Sequence, residues 1–346
     1  MPFPGGTPGL LSSCIRYGRN ESTLKLNHER KCHLLNEQGL CKVVLTYGEE
    51  KIPQTCHIFP REELLFSNRT ELALSPACPY VLDLLWNKKE FRLVQESDDE
   101  DVGIHQNEES ERAAFAVRDW FLKLMKEKKA APGDMLRVLF CILKDMREII
   151  GPKEDLFTAD FAEQYKMATN IEDVFRTLTA RAEGTREEID RFRENNELFL
   201  DIVNRYVNQK KYWNFLEKIV SDAEQMSREN YKNAEAVILL KQKCDQEWEE
   251  KLRLLIWEEI GSSLVTDCSL ESMLVKLQWI VLLYVVLKQA IFLRWQEKKS
   301  LSYELCRETT VIINRIMGYT DQDIRQFLKT EFESLIWPID YVFLVT

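Results

Sequence analysis

Histidine is scarce in this chain of 346 residues: there are four, His28, His33, His57 and His105, and none follows residue 105. The commonest general base and metal ligand is therefore missing from the long C-terminal part. A Glu-x-x-His di-iron pattern cannot arise there either. Glycine and proline are few, 12 and 10, and they crowd toward the N-terminus, which favours helix in the rest. There is no Walker loop, dinucleotide glycine fingerprint, Gly-x-Ser-x-Gly elbow or kinase signature. No basic stripe and no basic-aromatic interleaving is present, so nucleic acid is not an expected partner. The opening MPFPGGTPGLLSS lacks a charged segment followed by a long apolar one, so it does not read as a secretory signal.

What is there begins with charge. The net charge is −10, spread unevenly. Residues 1–95 hold 12 basic and 10 acidic side chains, residues 96–111 hold 8 acidic and no basic ones, and residues 112–346 hold 35 basic and 39 acidic. The acidity is mostly one short run, and the remainder is balanced in the manner of solvated helix faces. Nine cysteines, an odd number without paired spacing, point to free thiols in a reducing compartment. The expected location is intracellular, cytoplasmic or nuclear. On that reading the Asn20 and Asn68 sequons are chance matches.

Four domains are expected: a disordered tail over 1–13, a small β-rich module over 14–95, an acidic linker over 96–111 and an α-helical bundle over 112–346. In the module, Lys31–Leu35 and Cys41–Tyr47 read as a hairpin across Asn36-Glu-Gln-Gly39, with Gly39 at the left-handed position. Thr55–Phe59 and Glu71–Leu74 read as further strands, and Tyr80–Trp86 with Phe91–Val94 as a second hairpin. Cys32-His33, Cys41 and Cys56-His57 are zinc-type ligands. Adjacent Cys-His pairs on a strand point to opposite faces, however, and the usual two-residue gap is missing, so no metal is expected. Ile15-Arg-Tyr-Gly-Arg19 followed by Arg30-Lys-Cys-His33 resembles the opening of a forkhead-associated domain, which implies phosphopeptide binding. The chain departs from that pattern at Arg30, where the family has Ser, and it lacks the Asn-Gly-Thr motif.

In the linker, Ser97 precedes Asp98-Asp99-Glu100, a context that acidophilic kinases favour, and it is the one modification site singled out. Phe91–Val94 followed by acidic residues could also dock as an added strand on a partner. From Ser110 onward the apolar spacing is helical, and over residues 110–336 it predicts a mainly α, irregular multi-helix bundle. Thr185-Arg-Glu-Glu188 reads as a capping box. Gly151-Pro152 closes one helix, and Asp267 or Ser269 opens another. The tail Ile339–Val345 reads as strand-like and docked.

The most apolar stretch, Leu270–Trp295, reads LESMLVKLQWIVLLYVVLKQAIFLRW. Lys276, Lys288 and Gln289 interrupt it, leaving it short of the roughly 18–20 predominantly apolar residues of a membrane span. It is read as a helix buried on all sides, with no transmembrane segment. Cys141, Cys244, Cys268 and Cys306 read as small core residues. Glu187-Glu188 and Glu258-Glu259 read as surface charges rather than an acid–base pair. With no catalytic, cofactor-binding or metal-ligating residue singled out and no cofactor expected, the sequence reads as a non-catalytic adaptor or scaffold that binds protein partners through its helices. The alternatives are a helical enzyme or regulatory protein using carboxylates and a recruited metal, or a membrane-associated helical protein.

Overall fold

A computed structural model of the chain describes residues 14–17, 22–25, 32–67, 69–89, 93–94, 108–179, 185–207, 212–228, 234–317 and 321–346. The protein is mainly α and divides into two compact units, Met1–Glu62 and Glu63–Thr346.

In the first unit β1 (Ile15–Tyr17) pairs antiparallel with β2 (Ser22–Leu24), Ile15 lying opposite Leu24. The expected turn at Asn36–Gly39 is present. The Asn36 side-chain oxygen accepts from the Gln38 and Leu40 amides, and Gly39 takes φ 78°, which only glycine adopts without strain. Leu35 and Cys41 bridge across it. Beyond Cys41 the chain departs from the expected strands: α1 spans Lys42–Tyr47 and α2 spans Gln54–Ile58. A strand would bury Val43, Leu45 and Tyr47 on one face, but only Val43 is buried here. With so small a core, of Cys14, Leu34 and Val43, local helical hydrogen bonds prevail over β-propensity.

Next come β3 (Arg61–Leu65), which runs across the division between the units, and β4 (Thr70–Leu74), paired across a turn that Phe66 N–H closes onto the Arg69 carbonyl at 2.9 Å. Arg61-Glu-Glu escaped a strand reading because glutamate is depleted in strands. Tyr80–Trp86, expected as a strand, lies in α3 (Pro79–Trp86), since Pro79 in the first turn has a φ already suited to helix. These elements belong with the helices that follow, so the structural boundary falls inside the stretch 14–95. The Arg118 guanidinium, 1 % exposed, clamps both Glu71 oxygens at 2.5 and 3.0 Å, and Arg307 does the same to Asp83 at 2.6 and 3.1 Å.

Then come α4 (Glu108–Glu127), α5 (Pro132–Ile150), α6 (Ala159–Ala168), α7 (Ile171–Thr179), α8 (Thr185–Val207), α9 (Trp213–Arg228), α10 (Ala234–Ser263), α11 (Leu270–Lys298), α12 (Tyr303–Met317), α13 (Asp321–Phe332) and α14 (Ile339–Val345). Residues 108–111 of the acidic stretch are the first turn of α4. The side chain of Thr185 lies outside the described residues, so the capping box is not observed. The tail is helical rather than strand-like. Pro338 opens it and cannot continue a ladder, while Val342 and Val345 bury against α8 and α5.

The helices of this unit centre on α11, which packs against α5, α8, α10 and α12. Ser269 caps it by accepting from the Ser272 amide at 3.1 Å, and Asp267 braces Ser269. By length and composition alone α11 is apolar enough to cross a membrane, contrary to the shorter reading from its interruptions, yet 94 % of its most apolar window is buried inside the protein. Two of the polar side chains in α11 find internal partners, although the Gln289 Oε1 atom is buried without one among the described residues. Gln278 donates to the Leu335 carbonyl and accepts from the Trp337 amide, and Gln289 donates to Asn196.

Candidate functional site

On the surface of the helical unit, α5, α6 and α7 enclose a cleft of about 330 Å³. Helix α5 contributes Cys141, Ile142 and Asp145, one face at i, i+1 and i+4. From α6 comes Tyr165, and α7 adds Asp173, Val174, Thr177 and Leu178, again one stripe. Local chemistry sets the three helices at this angle. Gly151 ends α5 with φ 58°, the Thr158 hydroxyl caps α6 by accepting from Phe161 N–H, and the Asn170 side chain accepts from Asp173 N–H at the start of α7.

The polar groups of the cleft are held in place. The Tyr165 hydroxyl donates to Asp145 Oδ2 at 2.7 Å. Its ring is wedged against Trp120 and Phe161, with centroids 6.3 and 6.2 Å away. Burial, and then the hydrogen bond to Asp145, push the Tyr165 phenol well above its ordinary pKa, so it stays protonated and works as a fixed donor. Asp173 is oriented by the Asn170 amide at 2.6 Å and by the exposed Arg176. The walls are Ile142, Val174 and Leu178. Such a cleft can hold a slender apolar stem ending in a cation.

A second cluster of ionisable groups is buried between α10 and α11. Asp245 lies 3.0 Å from Lys288 and 3.4 Å from Lys241, and the Lys288 ammonium reaches the Tyr284 hydroxyl at 3.0 Å. Burial lowers the Lys241 pKa, only partly offset by Asp245. Burial opposes the charge on Lys288 too, but Asp245 and Tyr284 outweigh it and hold that ammonium above its usual range. Cys244, Cys268 and Cys306 are the core residues the sequence indicated. Burial pushes each thiol up to about 12, so none is a ready nucleophile.

In the first unit Cys14 sits in the small core with Cys32 and Cys41 packed against it, while Cys56, His33 and His57 are exposed. Partial burial and the neighbouring thiols of Cys32 and Cys41 raise the Cys56 pKa. Among the described residues no group of three or more His, Cys, Asp or Glu side chains is arranged to hold a metal. Ser97 lies outside the described residues. The sequence alone does not single out Asp145, Tyr165 or Asp173.

No family model matches the chain, and no solved structure matches it. Its likenesses are to two lysine-N-methylases and to a flagellar biosynthetic protein. Over 173 residues, 42 % of this chain, it is 24 % identical to the lysine-N-methylases of Salmonella typhimurium and of Salmonella choleraesuis. It is also 38 % identical over 56 residues, 16 % of the chain, to the flagellar biosynthetic protein FliU of Salmonella muenchen. The likeness spans 43 % of the length of each lysine-N-methylase and 33 % of FliU. These likenesses overturn the non-catalytic adaptor reading and accord better with a helical enzyme. The adaptor reading rested on missing histidine and missing nucleophile motifs. Methylation of an amine needs neither, because the substrate nitrogen is itself the nucleophile.

Proposed function

We propose that this chain is a methyl-transferring enzyme that acts on the side-chain amine of lysine. The observation that carries the reading is the likeness to the two lysine-N-methylases. In such a reaction the lysine ammonium first gives up a proton to water or a carboxylate. The nitrogen lone pair then attacks the methyl carbon of a sulfonium donor. The N–C bond forms as the S–C bond breaks, and the sulfur leaves with the bonding electrons as a thioether. The protein's work is to bind, orient and desolvate the two partners, which a helical scaffold carrying carboxylates can do. The cleft between α5, α6 and α7 supports the reading by offering carboxylates beside apolar walls.

The test is incubation of the full chain with S-adenosylmethionine and peptides that present one lysine in varied contexts, followed by tandem mass spectrometry. The reading expects added methyl groups on the lysine ε-nitrogen. A folded protein that leaves every lysine unmodified contradicts it.

A further inference from the structure

We infer that the cleft between α5, α6 and α7 is the subsite that receives the substrate lysine, its ammonium held between Asp145 and Asp173. The inference rests on the lysine-directed reading above and adds the place and the residues. Its primary support is a cavity of suitable size: about 330 Å³, at the lower end of the roughly 300–1,000 Å³ of small-ligand sites. That is room for one extended side chain.

The lining combines apolar side chains with carboxylates, the two kinds of surface a lysine side chain requires. Ile142, Val174 and Leu178 offer apolar surface to the tetramethylene stem, whose transfer from water is favourable. The two carboxylates come from different helices, Asp145 from α5 and Asp173 from α7. Asp145 is pre-set, since the Tyr165 hydroxyl takes its Oδ2 at 2.7 Å and leaves Oδ1 with no partner among the described residues. Asp173 is braced by Asn170 at 2.6 Å, and its other partner, Arg176, is exposed and able to swing into water. An arriving ammonium would displace a solvated cation without leaving a buried charge unpaired. Tyr165 is a positioning residue, acting on the substrate through Asp145.

Equilibrium binding tests this without any methyl donor. The full chain is titrated with a peptide carrying a single lysine, and with the same peptide carrying norleucine, which keeps the stem and removes the charge. Expected are measurable binding of the lysine peptide, none of the norleucine peptide, and a loss of about tenfold or more in Asp145→Asn and Asp173→Asn, the scale of one charge-assisted hydrogen bond. Tyr165→Phe keeps the ring and should weaken binding by a smaller factor. Both aspartates are at least partly solvent-exposed, so the variants fold, and an unchanged Tm verifies it. Equal binding of the two peptides, no binding by the wild type, or full binding by both Asn variants overturns the assignment. If lysine is methylated while Asp145→Asn keeps its KM, the subsite is wrong and the function stands. If the cleft binds lysine and no methyl is transferred, the subsite stands and the function falls.

Discussion

Gly133 lies in the first turn of α5, where a Cβ would stand 2.6 Å from the Thr346 carbonyl oxygen and 2.9 Å from the Tyr284 hydroxyl. Helix propensity alone would favour alanine there by about 1 kcal/mol. The close approach of a backbone oxygen reverses the sign, because that atom cannot rotate away. Gly133→Ala is expected to destabilise the protein by about 1–3 kcal/mol, measured by chemical denaturation. Lys241 is the opposite case, a residue whose removal helps. It is buried with its pKa lowered, so the unfolded chain holds its proton more firmly than the native one. The penalty is present at neutral pH and is relieved as pH rises toward about 10.4, the ordinary lysine value. Lys241→Met keeps the stem, and Asp245 retains Lys288 at 3.0 Å. The variant should melt higher than wild type at pH 7, with the gap narrowing by pH 9.5. A lower Tm at pH 7 would show that the Lys241–Asp245 contact outweighs the cost of burial.

Among the elements, α11 was the most legible in the sequence and α1, α2, α3 and α14 the least. An apolar stretch the length of Leu270–Trp295 has few folded solutions, and a helix covered on all sides is the simplest. Short segments such as Cys41–Tyr47 carry β-forming residues whose preference a few tertiary contacts can reverse. Tyr80–Trp86 and Ile339–Val345 are helical rather than strand-like because Pro79 and Pro338 each open a helix. The role of α11 as the centre of the unit gives a direct expectation. Leu283 is 4 % exposed, and Leu283→Asp buries a charge with no partner. The loss should exceed about 4 kcal/mol and unfold the helical unit, seen as collapse of the helical circular-dichroism signal. Retention of that signal would mean the face is not core.

At the scale of the whole molecule, the absence of nucleophile and histidine motifs points toward binding, and the cleft carries no such motif. Asp145, Tyr165 and Asp173 belong to three helices, and each looks like an ordinary surface residue until the turns at Gly151 and Asn170 bring the helices together. Helical spacing marks the inward apolar positions of these helices, but not the polar groups that line the cleft.

The proposed activity is transfer of a methyl group to lysine. The most direct test supplies S-adenosylmethionine labelled with carbon-13 in its methyl group and follows a lysine peptide by carbon–proton correlation NMR. The account predicts a new N-methyl-lysine resonance that grows with time in the presence of the folded chain and is absent when norleucine replaces lysine. A spectrum in which the label stays on sulfur, with the protein folded throughout, would contradict it.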